Sequence, residues 1–155
     1  MPPLRRLLLL VAVASLTAVP ATARGQTSQA VQLATNVLRA MDLERAMRFY
    51  GEVLGLRRNP LASDEWPEFE TGNVTILLNT PEQTGVPFAP SNTAIALRVP
   101  DVAEAMEKLK AAGVEFLFPE AYDSGVCHMA FFKDPFGNSL ILHHRHAPYR
   151  DGSLP

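Results

Sequence analysis

With 155 residues, 47% of them apolar and 19% charged, the chain has the size and composition of one folded domain, not of a disordered or fibrous protein. Its formal charge of −2, with no basic stripe and no interleaving of aromatic and basic residues, argues against nucleic acid as a partner. The single cysteine, Cys127, cannot form an internal disulfide and is expected to be buried in a strand.

Arg5 and Arg6 precede an uncharged run from Leu7 to Val19, followed by Pro20 and Ala21-Thr22-Ala23. A basic start, a short apolar run and a small-x-small site describe a signal peptide over residues 1–23. The run is too short to span a bilayer, which needs roughly 20 residues. A secreted or periplasmic protein is therefore expected, cleaved near Ala23 and left without a membrane anchor. A buried helix or an uncleaved anchor is the alternative. Cleavage would remove two arginines and no acid, taking the charge from −2 to −4. Residues 24–30 read as a tether, 31–146 as one domain and 147–155 as a flexible tail.

Val31 to Arg39 has the pattern of a strand. Asp42 can cap a helix whose apolar positions, Leu43, Ala46, Met47, Tyr50 and Leu54, recur at helical spacing, and Gly55 supplies the stop. Leu56 to Pro60 can begin a second strand, and 59–68 reads as a loop. Phe69 to Asn79 carries one strand pattern around Val74, Ile76 and Leu78, and Thr80 to Asn92 is long enough to act as a lid. Thr93 to Val99 alternates as a strand, and Pro100-Asp101 opens a helix that carries Val102, Ala105, Met106 and Leu109 and ends at Gly113. A short strand at 114–118, a loop at 119–125 and two strands, 126–133 and 139–144, complete the domain. Those last two strands are joined by the turn Asp134-Pro-Phe-Gly-Asn138.

The chain repeats itself. Leu38, Arg39, Asp42, Ala46 and Met47 recur as Leu97, Arg98, Asp101, Ala105 and Met106, each shifted by 59 positions (39 to 98). Two copies of that length suggest a duplicated half-domain, over about 31–80 and 91–144, not a solenoid. The order strand, helix and further strands, taken twice, gives two βαβββ units and an α+β fold. At this point the sequence resembles the vicinal-oxygen-chelate superfamily of glyoxalases, extradiol dioxygenases and bleomycin resistance proteins. The likeness rests on Leu38-Arg-x-x-Asp42-Leu-x-x-Ala-x-x-Phe49-Tyr50, Val53-Leu-Gly55-Leu and Phe132-Lys-Asp134-Pro-Phe-Gly137-Asn138. It implies paired βαβββ modules curled into an open, barrel-like sheet around a cleft, with helices on the outer face. It also implies a tendency to pair chains as a homodimer.

Enzymes of this family hold a divalent metal through one His, Gln or Glu on each of four strands. Carried over by counting from the motifs, those positions are Thr35, Leu77 or Ile76, Ala94 and Ile141. A hydroxyl and three alkyl groups do not make that donor set, so no metal or other cofactor is expected in the cleft. Alternation places Thr35, Val37 and Arg39 on the cleft face, with Ala94, Ala96 and Arg98 in the repeat and Cys127, Met129, Phe131, Ser139, Ile141 and His143 on the late strands. Arg39 and Arg98 suit a carboxylate or phosphate, or else solvate and pair with Asp42, Glu44 or Asp101. His143 is a candidate for hydrogen bonding or proton transfer. His144 points to the other face and His128 reads as a structural histidine; a divalent metal at a non-family site among the histidines is an alternative. Trp66 and Phe88, in the long loops, could close over a flat ligand or pin the loops.

The leading expectation is an exported module that binds a small organic, anionic molecule at Thr35, Arg39, Leu77, Arg98, Met129, Phe131, Ile141 and His143. The first alternative is a relative of lactoylglutathione lyases, isomerases or dioxygenases with a rebuilt or metal-independent site. The second is an accessory domain whose cleft is filled by its own side chains.

Overall fold

The structure is a computed structural model that describes residues 35–153, so the signal-peptide and tether readings lie outside the described residues. Thr35–Arg39 (β1) leads through Asp42 into α1, Leu43–Arg48, which continues as a π-helical turn over Phe49–Val53. Asp42 caps α1 by accepting from Arg45 N at 3.0 Å. The single helix expected over this stretch therefore widens at its end. Leu54 N–H bonds Phe49 O and Leu56 N–H bonds Tyr50 O, closing the last carbonyls just beyond the turn. Tyr50, wholly buried, is turned toward the second repeat.

Arg57–Arg58 (β2), Glu68–Glu70 (β3) and Thr75–Asn79 (β4) complete the first sheet in the order β1-β4-β3-β2, with β1 parallel to β4. The one strand expected over 69–79 is a hairpin instead. Gly72 adopts φ +97, a conformation that side chains resist, and the Thr71 hydroxyl closes on the Val74 carbonyl. Pro81–Thr84 forms the short α2 inside the segment read as a lid. That segment is tied down, since Ser91 N–H donates to Asn138 Oδ1 at 2.8 Å.

The second repeat follows the same plan. Ile95–Arg98 (β5), α3 at Val102–Ala111, Tyr122–Asp123 (β6), Cys127–Lys133 (β7) and Ser139–Arg145 (β8) give the order β5-β8-β7-β6, again with the first and last strands parallel. Asp101 caps α3 through Glu104 N at 2.9 Å. Residues 114–118 contribute one bridge, Phe116 to Phe132, and not the strand expected there; the paired strand is β6, in the segment read as a loop. The core lies between the sheets and their helices. Leu38, Ile76 and Leu78 pack with Ala46 and Tyr50, and Leu97, Phe132, Leu140 and Leu142 with Val102, Met106 and Leu109. Cys127 is buried in β7.

The halves are locked by one polar cluster. The Tyr50 hydroxyl donates to Asp134 Oδ2 at 2.9 Å, and Asn138 Nδ2 donates to Asp134 Oδ2 at 2.7 Å and to the Arg39 carbonyl at 2.9 Å. Asp134 Oδ1 accepts from the Phe136 and Asn138 amides. With Tyr50, Asp134 and Asn138 all buried, the bonds among these three side chains form in a dry setting where an unmade one is costly. Burial, then the Asp134 charge, pushes the Tyr50 phenol far above its ordinary value of 10.0.

Candidate functional site

Because the core-side residues of each strand are fixed by burial, the remaining ones share the face turned away from the helices. Leu38, Ile76 and Leu78 are buried, so Val37 and Leu77, direct partners across β1 and β4, lie on the other face with Thr35 and Arg39. Ile76, the second candidate for the family position, is wholly buried in the core; Leu77 is the one on the open side. In the second sheet the register aligns one rung across all four strands: Arg98 faces His143, His143 faces Met129 and Met129 faces Tyr122. The next rung carries Ala96, Ile141 and Phe131. Phe118 stands edge-on to Phe131, with ring centroids 6.1 Å apart.

A cavity of about 720 Å³ opens between the repeats. Asn36, Asn73 and Val74 border it from the first repeat, and Ala96, Arg98 and His143 from the second. Of the candidate site residues singled out in the sequence, Ile76, Ala94, Ala96, Arg98 and His143 reach this cavity. Thr35, Arg39, Leu77, Met129, Phe131 and Ile141 share the open faces of the sheets but do not border it. Trp66 is 39% exposed and Phe88 half-buried, and neither lines it.

The acids once set against the arginines are otherwise engaged. Asp42 and Asp101 cap helices and Glu44 pairs with Arg48, so among the described residues neither Arg39 nor Arg98 joins an ion pair. Arg98 is exposed toward the cavity. Arg39 is half-buried opposite Asn79, and Arg39 Nε and Asn79 Oδ1 are both buried without a protein hydrogen-bond partner. Such groups need polar company, which makes this rung a second polar spot on an apolar face. Tyr122 and Asn79 were missed in the sequence, since only the strand register shows that they share rungs with His143 and Arg39.

The remaining histidines stand elsewhere. His144 Nδ1 lies 3.1 Å from the Val99 carbonyl. His128, expected to be a structural histidine against a helix, has a side chain 46% exposed and sits beside its cross-strand partner Asp123.

The architecture defines a class: two sheets of identical strand order, each backed by one helix, side by side around an open cleft. A family model, described as the Glyoxalase/Bleomycin resistance protein/Dioxygenase superfamily, matches residues 31–142, and the chain belongs to that superfamily. Among solved structures it is similar to a glyoxalase/bleomycin resistance protein/dioxygenase from Nocardioides, at 24% identity over 81% of this chain and 90% of that one, TM-score 0.61. A putative glyoxalase family protein from Bacillus anthracis shares 21% identity over 74% and 95% of the two chains, TM-score 0.62. The lactoylglutathione lyase from Agrobacterium tumefaciens shares 20% over 72% and 92%, TM-score 0.60. The comparison with curated proteins found no match. At these identities the structural likeness carries the fold alone.

The resemblance implies a metal, and the positions that counting from the motifs assigns to it carry residues that do not suit one. Thr35, Leu77, Ala94 and Ile141 offer one hydroxyl and no imidazole or carboxylate, a set that cannot retain a divalent transition ion in water.

Proposed function

We propose that this chain is an exported member of the superfamily that binds a small organic anion in its cleft and does not act through a chelated metal. The observation that carries the reading is the rung Arg98–His143. A guanidinium that meets no carboxylate among the described residues and an imidazole lie in register at the edge of a cavity of about 720 Å³, beside strands that carry Ala96, Ile141 and Phe131. A guanidinium can take a carboxylate or phosphate through two parallel hydrogen bonds, while the apolar wall of Val74, Ile76 and Ala96 receives the body of the ligand. A homodimer belongs to the same proposal, a second copy covering Val37, which is 54% exposed on the open face.

The test is thermal unfolding of the full chain with benzoate, phenylacetate, phenyl phosphate and the neutral benzyl alcohol. A ligand that binds only the native state raises the melting temperature. The anions are expected to raise it and benzyl alcohol is not, and Arg98→Ala should abolish the anion effect. Equal shifts in wild type and Arg98→Ala, or no shift with any of the three anions, would overturn the reading. A second reading, an enzyme using His143 for proton transfer, is favoured by the direct pairing of His143 with Arg98. Turnover lost in His143→Gln with anion binding retained would select it.

A further inference from the structure

Three side chains on the opposite face of the second sheet converge without any part in the cleft. Asp123 on β6 and His128 on β7 are direct cross-strand partners. His146 follows β8, where its amide and that of Ala147 bond the Val126 carbonyl at 3.1 and 3.2 Å, which brings its ring diagonally over the same pair. His146 Nε2 lies 3.2 Å from Asp123 Oδ1 and His128 Nε2 lies 3.6 Å from Asp123 Oδ2, so each imidazole addresses its own carboxylate oxygen. The ligand atoms of all three lie within 4.8 Å of one another, and the ring centroids are 4.7 Å apart.

We propose that Asp123, His128 and His146 form a binding site for a divalent transition-metal ion of the Zn²⁺, Ni²⁺ and Cu²⁺ group. Metal–ligand bonds of about 2.0–2.1 Å in tetrahedral array put neighbouring donors about 3.3 Å apart. The two Asp–His separations bracket that value, and a small rotation of one ring closes the third. Two imidazoles with one carboxylate suit borderline ions, where all-oxygen sets suit magnesium and calcium. The carboxylate is already aimed: Gly125 N–H donates to Asp123 Oδ1 at 2.7 Å. Support of this kind holds a first ligand in place. The side chains are 55%, 46% and 34% exposed in chain order, so an ion has access and solvent can complete its coordination. The site joins β6, β7 and the segment after β8, and an ion there would staple these three together. It stands independently of the cleft reading, because His143 and Met129 lie on the other face of the sheet.

The test is calorimetric titration of the full chain, carrying no affinity tag, with Zn²⁺ and with Ni²⁺. One equivalent is expected to bind, and Asp123→Asn, His128→Ala and His146→Ala are each expected to weaken binding by at least about tenfold. No saturable binding of either ion, or binding that all three variants leave unchanged, would overturn the proposal. Should a variant fail to fold, paramagnetic broadening by Ni²⁺ in the wild-type protein decides the matter. Loss of the His128 and His146 ring signals supports the site; loss of the His143 signal alone refutes it.

Discussion

Asn138 is where the two repeats are most exposed to a single change. Its side-chain oxygen accepts from Ser91 N–H at 2.8 Å, and its amide nitrogen donates to the Arg39 carbonyl at 2.9 Å and Asp134 Oδ2 at 2.7 Å. Replacement by alanine leaves Asp134 with its Tyr50 bond but strands the Ser91 amide and the Arg39 carbonyl. At about 1 to 3 kcal/mol for each orphaned group, the loss is about 2 to 6 kcal/mol. Against a total of about 5 to 15 kcal/mol for a domain, that is a large share. Asn138→Asp keeps the acceptor for Ser91 but exchanges the donor for a second carboxylate facing Asp134. It is therefore expected to cost at least as much as alanine at neutral pH, and to recover in acid as the new carboxyl gains a proton and becomes a donor. Urea unfolding followed by circular dichroism measures all three proteins. A loss below about 1 kcal/mol for alanine, or an aspartate variant closer to wild type than alanine at neutral pH, would refute the assigned network.

Tyr50→Phe removes one hydrogen bond to a carboxylate and should cost about 1.5 to 3 kcal/mol near neutrality. The raised phenol pKa means that its stabilisation is complete below the ordinary value of 10.0 and drains as pH rises above it, by about 1.4 kcal/mol per pH unit, because only the unfolded chain ionises. The deficit of Tyr50→Phe against wild type should accordingly narrow above that pH in urea midpoints; a constant gap would show that Tyr50 is not held neutral by the fold. Ile76→Ala opens a cavity in the core and should cost about 2 to 5 kcal/mol. Leu77→Ala, half-buried on the open face, should cost clearly less in the same assay, and reversed order would mean that the faces of β4 are misassigned.

The repeat was readable because its signals are local. Asp42 and Asp101 cap helices as their spacing requires, and the alternation of Leu38 and Leu97 against Arg39 and Arg98 fixes which face each strand buries. What the sequence hid depends on partners far along the chain. The break between β3 and β4 falls at Thr71-Gly-Asn73, where Gly72 takes a positive φ, and the widened end of the first helix accompanies a bond from Tyr50 to a residue 84 positions away. His128 lies on the face that parity assigns to it but is exposed there, because parity gives a face and not its burial. The alignment of Arg98, His143, Met129 and Tyr122 required a register, and register is set by pairing that no single strand encodes.

Duplication made two equivalent turns, and their different chemistry explains why one junction is sealed and the other open. The β7–β8 turn is Asp134-Pro-Phe-Gly-Asn138, whose polar side chains reach out to Tyr50, Arg39 and Ser91 and close against the end of β1. The β3–β4 turn, Thr71-Gly-Asn-Val74, is one residue shorter. Thr71 donates its hydroxyl to the Val74 carbonyl within the turn, and among the described residues no hydrogen bond runs from this turn to β5. The cavity lies in that gap, walled by this turn on one side and by Ala96 and Arg98 on the other. Placing a bulky ring at the exposed Asn73 should therefore occlude the cavity without touching the core. Asn73→Trp is expected to unfold within about 0.5 kcal/mol of wild type, as surface substitutions do, while losing the rise in melting temperature with benzoate or phenyl phosphate. An undiminished rise in that variant would place the anion elsewhere, most directly at the rung of Arg39 and Asn79, where the repeat offers the same guanidinium in the other sheet.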